Sequence, residues 1–551
     1  MPEFNLADLW ELLADAGGDT EVLVAGDQRR TYRELDERAN RLAHHLLDRG
    51  IGAGDHVGIY SFTRVEYVEA LLAAWKVRAV PVNINYRYVE AELEYLLGDA
   101  DLVAMVYECG HADRLRSLAA KFPALTTYVS IADGAAEIAD LDGAVEYEAA
   151  LASASPERAG LIEHSGPRSA DDRYIVYTGG TTGMPKGTVW RHEDIFFGAL
   201  GGGGWFGTAI TTPEEIARNA ALDVRLTFMP TAPLMHGAGQ WFAIGGLLAG
   251  YRVVVNTART YDADELLGVV ERERVSSLTI VGDAMGRPLA EGAKSGRYDL
   301  SALRVVGSGG AILSDAVRAE IVAAVPHVLI RDGYGSSELG AGGNAVDKAT
   351  VGEDAAGVAP RFAMGPQVTV LDLESMKPVA PGAGVVGKIA RRGHIPLGYW
   401  KDAVKTAETF PVVDGVRYVV PGDFGTIEAD GTIVMLGRGS VCINSGGEKI
   451  YPEQVEAALK AHQDVFDCIV VGVPDERWGS RVVAVLAPRE GTSPTYEELA
   501  AHCRTLLAGY KVPRAIVLTE EIGRTNVGKA DYKWAATVAV RATGTDTEGT
   551  T

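Results

Sequence analysis

A layered α/β fold, with a large amino-terminal body of α/β subdomains and a small α+β carboxy-terminal domain, is predicted by three observations. Apolar runs of strand length alternate with stretches of helical period, Gly-rich turns recur where those strands end, and the texture of the chain changes near Gly437. At 551 residues the chain exceeds a single core, so the body should divide into two or three subdomains.

The elements follow in order. "TYRELDERANRLAHHLLDRG" places Leu35, Ala39, Leu42 and Leu46 at helical spacing, and the apolar "HVGIYS" and "AVPVNI" then flank a second helical run, "VEYVEALLAAWK". This β-α-β rhythm recurs as "RVVVNTA", "DADELLGVVERER" and "SSLTIVG", and again as "LRVVGSGGA", "SDAVRAEIVAAV" and "HVLIRDGYG". Mainly parallel sheets are therefore expected. Residues 226–251 carry no Asp, Glu, Lys or Arg over a length that could span a bilayer, but Pro230, Pro233, His236, Gln240 and five glycines interrupt them. A buried segment lining a pocket is the expectation there. Beyond Gly437 a run rich in small residues leads into the helix "PEQVEAALKAH" and the strands "CIVVGVP" and "RVVAVLAP". The expected boundaries are 1–437 for the body, 438–538 for the small domain and 539–551 for a disordered, Thr/Gly-rich tail.

Composition narrows the function. With 52 Lys+Arg against 74 Asp+Glu the formal net charge is −22, which repels nucleic acid and anionic membranes in general. Cys109, Cys442, Cys468 and Cys503 show no C-x-x-C spacing, and a reducing compartment fits them. The amino-terminal "MPEFNLADLWELLADA" has acidic residues where an export signal needs a basic start, so a cytoplasmic protein is expected.

The chemistry begins at "YTGGTTGMPKGT", Tyr177 to Thr188, where Gly, Thr and one Lys supply backbone, hydroxyl and ammonium donors suited to a polyphosphate. It is not a Walker A loop, because Lys186 follows Pro185; the partial matches Gly382 to Lys388 and Gly523 to Lys529 lack the hydroxyl residue. Further segments follow in a fixed order: "PLMHGAG", "GSGGA", "DGYGSSELG", "VPGDFG", "GRGS", "INSGGEKIYP" and "GRTNVGKADYKWA". In this order, over nearly the whole chain, they resemble the adenylate-forming superfamily of acyl-CoA synthetases, adenylation domains and luciferases. Within it, "YRYVEAELEYLL", "GDAMGRPL" and "GRGSVCINSGGEKIYPEQVEAAL" look like actinobacterial acyl-CoA synthetases, including those acting on steroid side chains.

The resemblance implies that a fatty or bulky carboxylic acid attacks the α-phosphorus of ATP and that CoA then displaces AMP, with Mg²⁺ as cofactor. It implies that Thr178, Thr181, Thr182 and Lys186 cradle the β- and γ-phosphates and that Glu338 holds Mg²⁺, with Ser337 on phosphate. Asp423 would accept both ribose hydroxyls, assisted by Arg438. Tyr334 would stack on adenine in a slot lined by Gly309, Gly310, Ala311, Asp332 and Gly335. Lys529 would reach the α-phosphate and the substrate carboxylate, and His236 would stand between acyl pocket and CoA tunnel. A mobile small domain would turn at Ser440, withdrawing Lys529 and bringing Gly446 and Gly447 in for thioester formation. The sequence departs from the family at Ser337, Leu339, Asn526 and Val527. Candidate acyl walls are Gln240, Trp241, Gly282, Asp283, Gly307 and Gly309. Taken singly, Glu338 also reads as a helix-terminal carboxylate, Tyr334 as core and His236 as structural. An acceptor other than CoA (a carrier protein, or nitrite and an arylamine), a non-catalytic nucleotide-binding regulator and a homodimer stay open.

Overall fold

The computed structural model describes residues 3–134, 141–178, 184–205, 207–222, 225–311, 313–345, 360–445, 448–475, 478–525 and 529–544. Its body is built on two wide sheets. In the first, the strands Glu21–Ala25, Arg252–Val255, Thr227–Pro230, Ser277–Ile280, Val305–Gly309 and Leu329–Ser336 are parallel neighbours. Helices Ala263–Arg272 and Asp315–Ala324, capped by the Asp262 and Ser314 side chains, supply crossovers. In the second sheet His56–Tyr60 lies between Val80–Asn83 and Leu102–Glu108, all parallel, and helix Val65–Lys76 makes one connection.

The expectation of mainly parallel sheets needs correction for half of the first sheet. From Gly340–Ala345 onward, through Arg361–Met364, Ile433–Arg438, Asp423–Ile427, Gly387–Arg391 and Val368–Asp372, neighbours run antiparallel. The first reversal follows from connection length: only residues 337–339 join Leu329–Ser336 to the next strand, far short of the dozen or so a parallel crossover needs. The Arg173–Thr178 and Lys186–Arg191 strands likewise form an antiparallel hairpin.

The charge-free stretch becomes the strand Thr227–Pro230 and the helix Gly237–Leu248, the latter buried on nearly all sides. Among the described residues no helix is long and apolar enough to cross a membrane.

The small domain folds around the antiparallel pair Val465–Asp475 and Gly479–Pro488, with Ala515–Leu518 parallel to the latter. Pro452–Lys460 and Tyr496–Leu506 pack on one face of this sheet, and Tyr532–Thr543 packs on the other. That last helix corrects the expected start of the tail: it runs through Thr543, anchored by the buried Ala535 and Ala539, and stops at Gly544 with φ +70°. Residues 545–551 of the expected tail lie outside the described residues.

Candidate active site

The hairpin of the second sheet sets the first group. Thr178 ends one strand directly opposite Lys186, which begins the next, while Thr181 and Thr182 lie outside the described residues. Lys186 Nζ pairs with Asp402 Oδ2 at 2.8 Å and stands 5.5 Å from the ring centre of Tyr399. The buried Asn83 braces this end of the hairpin: its side chain accepts from Tyr177 N at 2.7 Å and donates to the carbonyls of Tyr177 and Met235 at 2.8 and 2.6 Å.

Glu338 occupies the tight turn between Leu329–Ser336 and Gly340–Ala345 and accepts from Tyr399 Oη at 2.9 Å. The turn is held by its backbone. Trp190 Nε1 donates to Ser337 O at 3.1 Å, and the buried Arg391 donates to Leu339 O at 2.8 Å, Ala341 O at 3.0 Å and Gly198 O at 2.8 Å. Burial pushes the Arg391 guanidinium down to about 10, still cationic at neutral pH.

In the strand leading to that turn, Tyr334 Oη donates to Asp423 Oδ2 at 2.6 Å, and its ring leans on Phe362 at 5.5 Å. Asp423 is 1% exposed and pairs across the sheet with Arg438, of whose side chain nothing is described. Gly309 faces Gly333 across the parallel pair, with Gly310, Ala311 and Gly335 nearby in chain and register. Asp332 pairs with Arg318, yet burial, with Asp315 and Asp283 adding to it, leaves its carboxyl raised to about 6.

His236 caps helix Gly237–Leu248, and burial holds its imidazole down to about 4, reinforced by the charges of Arg87 and then Lys529. Of the expected acyl walls, Gln240 turns into the core, accepting from Tyr174 and donating to Tyr67 Oη at 3.3 Å and Leu234 O at 3.2 Å. Trp241 donates to Tyr174 Oη at 3.1 Å. Asp283 faces the small domain, accepting from Ser314 N at 2.7 Å and lying 3.8 Å from Lys460 Nζ. Gly282 opens helix Gly282–Lys294 and Gly307 lies in the middle of strand Val305–Gly309, next to Ser308, whose hydroxyl accepts from Gly282 N at 3.1 Å. Gly446 and Gly447 lie outside the described residues.

Sequence reasoning missed Tyr399, Asp402, Asn83 and Arg391. The one available signal was "GYWKD", where an aromatic pair and an acid follow a glycine. The donor set fits magnesium. Among the described residues no three His, Cys, Asp or Glu side chains gather to enclose a metal, and one half-buried carboxylate at Glu338 suits an ion that keeps waters and phosphate oxygens as its other ligands.

Residues 11–400 match the AMP-binding enzyme family, and residues 454–529 match the AMP-binding enzyme C-terminal domain. A medium/long-chain-fatty-acid–CoA/3-oxocholest-4-en-26-oate–CoA ligase of Mycobacterium marinum is 46% identical over 96% of each chain. The 3-oxocholest-4-en-26-oate–CoA ligase of Rhodococcus rhodochrous is 44% identical over 96% of this chain and 95% of its own. In fold, the crystal structure of the anthranilate CoA ligase AuaEII with anthranoyl-AMP superposes with a TM-score of 0.82 over 99% of both chains at 21% identity.

Proposed function

Because the chain belongs to the AMP-binding enzyme family, we propose a role for each group in its site and a class of acid for it to activate. The chain is an ATP-dependent acyl-CoA synthetase, an AMP-forming acid–CoA ligase. A carboxylate attacks the α-phosphorus of ATP and pyrophosphate leaves; CoA thiolate then attacks the acyl carbon and AMP leaves. Two anions meet in the first step, so positive groups and oriented donors must spread the charge that develops.

Lys186, Thr178, Thr181 and Thr182 bind the β- and γ-phosphates, and Lys529 takes the α-phosphate and the attacking carboxylate. Asp423, its carboxylate oriented by Tyr334, accepts the ribose hydroxyls beside Arg438. Gly309, Gly310, Ala311, Asp332, Tyr334 and Gly335 form the adenine side, and Ser337 contacts phosphate. Glu338 would hold Mg²⁺, which would supply positive charge to neutralise phosphate oxygens. His236, neutral at working pH, separates acyl group from CoA, and Gly446 and Gly447 serve thioester formation.

One observation carries this reading: an unbroken path of contacts runs from Lys186 across Tyr399 to Glu338, back along the strand to Tyr334, and on to Asp423. The acid we propose is a medium- or long-chain fatty acid or a steroid side-chain acid of the 3-oxocholest-4-en-26-oate kind, supported by relatives 44 and 46% identical. Incubation with ATP, Mg²⁺, CoA and a panel of fatty, steroid side-chain and aryl acids, read as AMP and acyl-CoA by mass spectrometry, tests it. Fatty and steroid acids should give stoichiometric AMP and thioester. Adenylate formation with no CoA consumed across the panel would move the reading to another acceptor.

A further inference from the structure

We propose that Tyr399 is a positioning residue that orients the Glu338 carboxylate for Mg²⁺ and keeps the Lys186 ammonium in place for phosphate, a role that rests on the readings of Glu338 and Lys186 above. Its Oη donates to Glu338 Oε1 at 2.9 Å, and Lys186 Nζ stands 5.5 Å from its ring centre. One side chain thus meets two opposite charges through two different surfaces, a hydroxyl that donates and a π face that attracts a cation.

The tyrosine itself has little freedom. Its two-residue strand Gly398–Tyr399 pairs antiparallel with Lys186–Arg191, placing Tyr399 opposite Thr188, two residues from Lys186. Tyr399 N donates to Thr406 Oγ1 at 2.9 Å, and the Phe410 ring meets the phenol edge-on at 5.8 Å. A Cβ on Gly398, where φ is +149°, would strike the Thr406 side chain, so glycine there lets helix Ala403–Thr409 approach the tyrosine. A phenol is an O–H donor at neutral pH, as this contact requires.

The need for such a residue follows from the metal. Mg²⁺ demands near-ideal octahedral geometry, and a single glutamate with three side-chain torsions cannot supply a fixed ligand unaided. A donor on one carboxylate oxygen fixes the direction of the other. The same segment supplies a counter-charge for Lys186: Asp402, three residues on, pairs with the ammonium at 2.8 Å and is itself steadied by Lys405 N at 2.8 Å. An arriving phosphate replaces that carboxylate, while the ring keeps the ammonium within reach.

Calorimetric titration of the full chain with ATP, once in Mg²⁺ and once in chelator, separates the two surfaces. Tyr399→Phe keeps the ring and removes the hydroxyl, so the Kd for Mg-ATP should rise roughly tenfold while the Kd for metal-free ATP holds. Tyr399→Leu removes both and should in addition weaken metal-free ATP by roughly two- to fivefold. In a Glu338→Gln background, where Mg²⁺ should no longer strengthen ATP binding, adding Tyr399→Phe should change nothing further. Native Mg-ATP affinity in Tyr399→Phe, alongside a lost Mg²⁺ effect in Glu338→Gln, overturns the role of Tyr399 alone. A full Mg²⁺ effect surviving in Glu338→Gln overturns the reading of Glu338, and this inference with it.

Discussion

Tyr334 donates its phenol hydrogen to Asp423 across 2.6 Å, joining two strands that are 89 residues apart in sequence. A hydrogen bond to a buried carboxylate contributes about 1.5–3 kcal/mol. Tyr334→Phe should therefore lower unfolding stability by that order in urea titration and raise KM for ATP with little change in the KM for the acid. A variant of native stability and native ATP dependence would show that Asp423 is oriented by other neighbours.

How far the sequence revealed this arrangement depends on the range over which each feature is encoded. Strand–helix–strand units such as His56–Tyr60, Val65–Lys76 and Val80–Asn83 were legible because period and length are local properties. The antiparallel half of the first sheet was not, since strand direction depends on which strands meet. Lys186 and Glu338 stood out within their motifs. Tyr399, Asp402 and Asn83 did not, because they work across 61, 216 and 94 residues respectively. The end of the last helix was hidden because only Ala535 and Ala539 on it are buried, too thin a stripe beside a polar terminus.

Acidity should unfold the protein through its histidines. Burial holds His111, His192 and His236 near 4 rather than 6.5, so between those values the unfolded chain binds more protons than the folded one. Stability is complete above pH 6.5 and is lost as pH falls toward 4, by roughly 3 kcal/mol for each histidine. Asp332, raised to about 6 from 3.8, and Glu456, raised by burial, act with the opposite sign, being more favourable when protonated, whereas His45 and His56, also lowered by burial, act with the other three histidines. Thermal melts from pH 8 to 4 should show Tm falling on acidification, with a shallower slope in His192→Gln. An unchanged slope in that variant would remove His192 from the account.

Lys529→Ala separates the half-reactions. A lysine directed at the α-phosphate stabilises charge only while pyrophosphate departs, and loss of one such donor costs on the order of 10²–10³ in rate. Pyrophosphate release should fall by that factor, whereas thioester formation from supplied acyl adenylate should change little. The loss of its charge should also let the His236 imidazole titrate somewhat higher, visible by NMR. Equal losses in both half-reactions would contradict a small domain with two working poses.

The pose seen here is held by charges that cross between body and small domain. Lys460 Nζ lies 3.8 Å from Asp283 Oδ2, Arg287 donates to Phe466 O at 3.1 Å, and Glu320 pairs with Arg287 and Arg489 at 3.2 Å each. To leave it, the chain must turn between the strand Ile433–Arg438, which belongs to the first wide sheet, and Ile443–Ser445, which belongs to a separate two-stranded sheet. Ser440 lies within the single 3₁₀ turn Gly439–Val441 that joins them, after Gly437 at φ +138°, where a side chain would strike Glu453. Proline at position 440 fixes φ and removes an N–H, so Ser440→Pro should resist the change of torsion that a swing requires. Because adenylation needs only one of the two poses, pyrophosphate release in a single turnover should persist, while acyl-CoA formed over many turnovers should fall steeply. Undiminished acyl-CoA output would place the turning point elsewhere, since a chain unable to rotate at Ser440 would still be completing both steps.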